Sequence, residues 1–215
     1  MEEVIQPFYL EKENRMKNNI IHYCNIKDGS VSVNGKSLYV NTVEKDFLSF
    51  IKTVYKQFDL AYPKFYKMDP LCKLSIVAAS ILLENTGSEI DPNMALVLSN
   101  KSSCIDIDRK HQETISQEAD SYASPANFVY TLPNIALGEI SIKYKLQSEN
   151  SFFIFEYFNP KFLIDYTNSL IDLGKSNRVL SGWVEVNENN YNAFLFIVEK
   201  SDGIELTQKN LIKLK

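Results

Sequence analysis

The chain has 215 residues, 45% of them hydrophobic and 12% aromatic, which is enough for one sizeable core and too apolar for a disordered segment. Its 23 Lys and Arg against 27 Asp and Glu leave a net charge of −4, which gives no ground for a nucleic-acid or anionic-membrane surface. No apolar run approaches the ~18 residues of a membrane span, and Met1-Glu2-Glu3-Val4 lacks the basic and then apolar start of a secretory signal.

Cys24, Cys72 and Cys104 are widely spaced and belong to no CxxC or Cys/His cluster, so the sequence offers no zinc framework and fits a reduced, cytoplasmic protein. The 7 glycines, Gly29, Gly35, Gly87, Gly138, Gly174, Gly182 and Gly203, are all isolated. A phosphate-cradling loop needs several close positions without a Cβ, so neither a P-loop nor a dinucleotide fingerprint can be written. No cofactor is expected.

Residues 11–17 are charged and are expected to form a surface arm. Tyr23-Cys24-Asn25-Ile26 and Ser30-Val31-Ser32-Val33 flank Lys27-Asp28-Gly29 as a hairpin, and Asn34-Gly35 supplies a second turn, so short edge strands are expected over residues 1–40. From Thr42 to Asp59 the apolar positions Val43, Phe47, Phe50, Ile51, Val54, Tyr55 and Phe58 recur at three and four, an amphipathic helix with Asn41 or Thr42 as its cap. Asp69-Pro70 opens a second helix, with the cap at Asp69 and proline at the first helical position; it runs through Leu82 and stops near Gly87.

Met94 to Ser99 is a continuous apolar run, expected to be a strand covered on both faces. A short polar helix is expected within residues 106–120, and another helix over 133–146 that buries Ile135, Ile140 and Ile142. Ser151 to Phe155 reads as a strand, Pro160 to Gly174 as a helix ending on a glycine, and Arg178 to Val186 and Asn192 to Val198 as strands. Ser201-Asp202-Gly203 is a turn. Helices alternate with buried strands, so the expected class is α/β, with a mixed, mostly parallel five-stranded sheet and one domain over residues 1–215.

Several of these segments together resemble the β-ketoacyl synthase family of the thiolase fold. Tyr66-Lys67-Met68-Asp69 with the following helix and Ala78-Ala79 is similar to the family's "RMD" helix. Ala95 to Leu98 is similar to the strand before its first crossover. Ser124-Pro125, then Leu132-Pro133-Asn134, Gly138-Glu139 and Ile140-Ser141-Ile142, resemble its "SP…PN…asqvai" stretch. Leu146 and Asn150 resemble "L-x-G-P-N", with Ser148 and Glu149 in place of glycine and proline. Ser181-Gly182 and Glu185 resemble the "aGGxE" strand end, with Trp183 replacing the second glycine, and Ala193 to Glu199 weakly resembles "gaavlvlE". The match covers residues 65–185 and corresponds to the family's N-terminal half.

Without a gap from Asn150 to Glu185, the position of the family's catalytic cysteine, seven residues after the asparagine, holds Tyr157. A thiolate carries an acyl thioester near neutral pH, whereas a phenol with an ordinary pKa near 10 is a poor substitute. The small residues after the nucleophile are replaced by Phe158-Asn159-Pro160, and His22 and His111 lie outside the matching motifs. No catalytic residue is therefore assigned.

The resemblance implies a non-catalytic ketosynthase-like subunit, half the family's length. It would act as partner or scaffold in bacterial fatty acid or polyketide biosynthesis of the aryl-polyene or flexirubin pigment type. It also implies dimerisation through residues 124–155, either with a second copy or with a full-length ketosynthase. The alternative is an acyl-chain or acyl-carrier-protein binder using a remnant tunnel, with candidate lining at Phe128, Tyr130, Phe153, Phe155, Tyr157 and Phe158. The tunnel or interface candidates are Phe128, Pro133, Asn134, Phe155, Glu156, Tyr157 and Phe158. Against these stand plainer expectations. Tyr157 would be a buried core aromatic with a satisfied hydroxyl, Glu156 would face water or an interface, and Asp106, Asp108 and His111 would be a solvated helix start rather than a metal site. Cys72 and Cys104 would be idle thiols.

Overall fold

The computed structural model describes residues 17–43, 46–116 and 122–215. Strand β1 (Asn18–Lys27) turns at Asp28 and Gly29, both with positive φ, into β2 (Ser30–Val33). A second turn at Asn34 and Gly35 leads into β3 (Lys36–Val40). The expected hairpin is present, but β1 is no edge strand: it runs for 10 residues and pairs on its other side with β7 (Asn190–Lys200). Of the expected arm, residues 11–16 lie outside the described residues.

Helix α1 (Phe47–Gln57) begins later than its periodicity implied. Asp46 caps it, its carboxylate accepting from the Ser49 N–H at 2.9 Å. Asn41 cannot cap, because its own N–H donates to the Gly29 carbonyl at 2.7 Å and its side chain accepts from Val43. A 3-10 turn (Pro63–Lys67) then leads to α2 (Pro70–Glu84), where Asp69 accepts from the N–H groups of Leu71 and Cys72, as the Asp-Pro pair predicted. Strand β4 (Ala95–Asn100) is buried at every position. Helices α3 (Ile105–Ile115), α4 (Pro125–Val129) and α5 (Ile135–Tyr144) follow; residues 117–120 of the expected polar helix lie outside the described residues.

Helix α5 buries Ala136, Leu137, Glu139 and Ile140, while Ile142 is 63% exposed, contrary to expectation. Two residues advance an α-helix by about 200°, so Ile140 and Ile142 cannot share a face. Glu139 is tolerated in the interior because Lys64 pairs with it at 2.7 Å and the Tyr62 hydroxyl donates to it at 2.8 Å. Burial, followed by Glu139 itself, pushes the Tyr62 phenol upward.

The chain continues through β5 (Asn150–Ile154), α6 (Pro160–Asp172), β6 (Arg178–Asn187), β7, a short β8 (Ile204–Glu205) and α7 (Gln208–Leu214). The last two escaped the sequence reading, being too short to show a period. The sheet order is β3-β2-β1-β7-β6-β4-β5, with β8 on β1. The α/β class holds, but the described sheet has eight strands rather than five, and it is not mostly parallel. Only β4–β5 and β4–β6 run parallel; the other pairings are antiparallel. The hairpins β1–β2, β2–β3 and β6–β7 make antiparallel pairs, and the crossovers through α5 and α6 make the parallel ones.

Strand β7 supplies both faces of the core. Ala193, Leu195 and Ile197 meet α1, α2 and α5 on one side, and Phe194, Phe196 and Val198 meet α6 and α7 on the other. Each such fully buried side chain contributes about 1.5–3 kcal/mol. Its neighbour Gly182 has φ +157°, and a Cβ there would lie 2.1 Å from the Phe194 carbonyl oxygen. The replacement Gly182→Ala is expected to cost about 3 kcal/mol, read as a fall in melting temperature of about 6–12 °C. A fall of less than about 2 °C would show that β6 and β7 can separate there without cost.

Candidate functional site

The segment that the sequence resemblance places at the nucleophile elbow joins β5 to α6. Strand β5 lies at the margin of the sheet, parallel to β4, and the Phe155 N–H donates to the Asn100 carbonyl at 2.8 Å just past its end. Phe153 and Phe155 turn toward α6, their ring centroids 4.6 and 5.0 Å from that of Phe162. The chain then bends at Glu156 and Tyr157. Both are exposed, Tyr157 to 70%. The expectation of a buried Tyr157 is thus overturned, and that of an outward Glu156 is met.

The reason lies one residue later. Phe158 takes the inward place, edge-on to Trp183 at 6.1 Å and to Phe194 at 5.9 Å, with the Lys215 ammonium 5.6 Å from its ring. Trp183, where the resembled motif has a glycine, is only 6% exposed. Two large rings therefore occupy the floor of the elbow, and successive residues of an extended turn cannot both point inward.

The helix after the elbow has lost two of its first backbone donors. Pro160 lacks an N–H, and the Phe162 N–H is taken by the Asn159 side chain at 3.1 Å. His22 is on β1, its Nδ1 3.0 Å from the Asn34 side-chain nitrogen, and His111 is on α3 with its ring 5.7 Å from that of Phe128.

The other candidates are distributed rather than gathered. Phe128 on α4 is 59% exposed, Pro133 is half-buried, and Asn134 is exposed at the start of α5 without a capping side-chain bond. Of the proposed tunnel rings, Tyr130 is 9% exposed, Phe153 and Phe155 form an aromatic group with Phe162 and Tyr166, and Phe158 belongs to the Trp183 stack. They do not line one continuous channel among the described residues. The sequence reading missed the role of Glu185, whose carboxylate accepts from the N–H groups of Lys101 (2.7 Å) and Ser102 (3.2 Å) and so ties the loop after β4 to β6. Its motif was visible; its partners are 83 and 84 residues away.

Asp106 accepts from the Glu188 N–H at 2.9 Å and pairs with Arg109 at 3.5 Å, and no metal-binding group of His, Cys, Asp and Glu occurs among the described residues. The three thiols are buried and free. Burial pushes the Cys24 thiol up to about 12 and Cys104 to about 11, and raises Cys72 well above its ordinary value, with Asp69 adding to that last effect. A raised thiol stays protonated, and only the thiolate attacks. At pH 8 less than about a thousandth of Cys104 is thiolate, so iodoacetamide should leave the native protein unlabelled and modify all three cysteines in denaturant. Rapid labelling of any native cysteine would revive a thiol nucleophile.

No protein-family model and no curated protein matches the chain. Solved structures do. The chain is similar to the ishigamide ketosynthase/chain length factor, with TM-score 0.68 and 15% identity over 86% of this chain and 62% of that one. It is also similar to a structure of a ketosynthase (ApeO) in complex with its chain length factor (ApeC) from Xenorhabdus doucetiae, with TM-score 0.58 and 14% identity over 92% of this chain and 90% of that one. A third is the AntDE:AntF complex, a type II polyketide synthase acyl-carrier protein with its ketosynthase, with TM-score 0.58 and 14% identity over 93% and 65%. This chain spans less than two thirds of the first and third of these. Its mixed sheet flanked by helices is that of the thiolase-like fold of these ketosynthase structures.

Proposed function

We propose that the chain is a non-catalytic ketosynthase-like subunit: a partner or scaffold for a full-length ketosynthase in a bacterial fatty acid or polyketide pathway of the aryl-polyene type. The observation that carries this is the elbow, where Tyr157 stands outward and Phe158 against Trp183 fills the space a thioester would need. The pigment-pathway assignment rests on the sequence resemblance alone. The three free thiols support a reducing, cytoplasmic setting, and no described helix is long and apolar enough to cross a membrane.

The docking surface is residues 124–155 together with the elbow. Within it Phe128 (59%), Leu132 (50%), Ile142 (63%) and Ile154 (48%) are exposed large apolar residues. The partner is a second copy or a full-length ketosynthase. Residues 1–215 are taken as one such unit.

Two measurements test this. Incubation with acyl-carrier-protein-bound or pantetheine-bound acyl thioesters is expected to leave the intact mass unchanged. An acyl adduct that disappears in Tyr157→Phe would overturn the non-catalytic reading. Co-expression with the ketosynthase of its own pathway is expected to give a stoichiometric complex. Failure to co-purify, together with thermal stabilisation by acyl-pantetheine, would favour an acyl-binding protein instead.

A further inference from the structure

We propose that neutral His22 latches the turn between β2 and β3 onto β1, and that protonation of its ring releases this outer hairpin from the sheet. The latch lies at the margin opposite β5 and does not depend on the partner reading above.

The ladder between β1 and β2 ends at the pair Cys24 and Val33, and the next rung is made by a turn residue. Asn34, at φ +52°, donates its N–H to the Tyr23 carbonyl at 2.9 Å, and its side-chain oxygen accepts from the Tyr23 N–H at 2.9 Å. An asparagine amide has one oxygen and one NH2 group. With the oxygen committed to a backbone donor, the NH2 group is turned to the half-buried His22, 3.0 Å from Nδ1. That ring nitrogen therefore accepts, which places the imidazole proton on Nε2.

Protonation puts a hydrogen on Nδ1 as well, so that two donors face each other. Rotating the Asn34 amide does not cure this, because the NH2 group would then meet the Tyr23 N–H. In either arrangement one bond is lost and two donors are forced together. The imidazolium is accommodated only when the turn moves away.

The charged surroundings supply no free acceptor. Glu199 on β7 and Arg178 on β6 act on the ring, and the Glu199 carboxylate is held by Arg178, 2.6 Å from Nε and 2.5 Å from Nη2. On α2, which packs against β1, Glu84 is taken by Lys143 and Tyr144, and Lys73 donates to the Met68 carbonyl. Lys36 on β3 is exposed. Burial first, then Arg178, lowers the His22 ring from its ordinary value, with Glu199 opposing. A lowered value means that the latch is intact above about pH 6.5 and is lost as the pH falls through the folded-state value.

The hairpin is the part of the sheet least able to resist. Among the described residues β3 pairs only with β2, and a register shift falls between Val31 and Ser32, whereas β1 also keeps its ladder to β7. Release is therefore local: it loosens the turn and β3 and uncovers Val33, which is 6% exposed when the latch is closed.

The experiment is amide hydrogen exchange, corrected for intrinsic rates, with ring NMR on the full chain between about pH 7.5 and about pH 5.5. At the upper pH the His22 ring is expected to carry its proton on Nε2. On acidification the protection of the Tyr23 and Asn34 amides is expected to fall by at least about fivefold, while that of Leu195 and Phe196 on β7 holds. His22→Gln is expected to leave a change of less than about twofold. Asn34→Gly, which keeps the positive φ, is expected to leave the Tyr23 amide unprotected at both pH values. A proton on Nδ1 at the upper pH, or wild-type protection that does not change with pH, overturns the latch whatever the variants do. An equal acid loss in the wild type and in His22→Gln assigns the change to another group and overturns it too.

Discussion

The close approach of β6 to β7 at Gly182 governs much of this structure. With no Cβ between Gly182 and the Phe194 carbonyl, the two longest antiparallel partners stay in register over their full length. That register stacks Trp183 beside Phe194 on the face covered by α6 and α7, and Phe158 closes over them. The direction of Tyr157 is the last consequence of this chain of contacts: once Phe158 is committed inward, the preceding side chain must point out.

In the proposed reading, Tyr157 in place of a nucleophile is one part of a repacked elbow. Substituting cysteine for Tyr157 would place a thiol on the surface, before a helix start where Pro160 lacks an N–H and the Asn159 cap occupies that of Phe162. The α7 end reinforces the arrangement. The Asn25 amide donates to the Leu214 carbonyl at 2.9 Å, Lys27 donates to the carbonyl of Lys215, and the Lys215 ammonium sits against Phe158. Burial, then the neighbouring Lys27, lowers the Lys215 ammonium from its ordinary value.

How far the sequence could be read depended on the range of the interaction. Asp69-Pro70 announced the start of α2 because a cap and a proline act within one turn. The apolar run before Asn100 announced a strand buried on both faces. Ile142 was misjudged because residue type alone ignored its angle around α5, and the cap of α1 because Asn41 was already engaged with Gly29 across the hairpin. The buried Glu139 was invisible in its role, since Lys64 and Tyr62 meet it only in the fold.

The sequence by itself determined the α/β alternation and most helix and strand positions, since these follow from periodicity and turn chemistry within short stretches of chain. Only the tertiary structure decided that the sheet is largely antiparallel, that β5 is left at its margin, and that Tyr157 is exposed while Phe158 is packed. Strand order and the choice of which aromatic is buried depend on contacts between residues far apart in sequence, and a local pattern carries no record of which distant backbone will come to lie beside it.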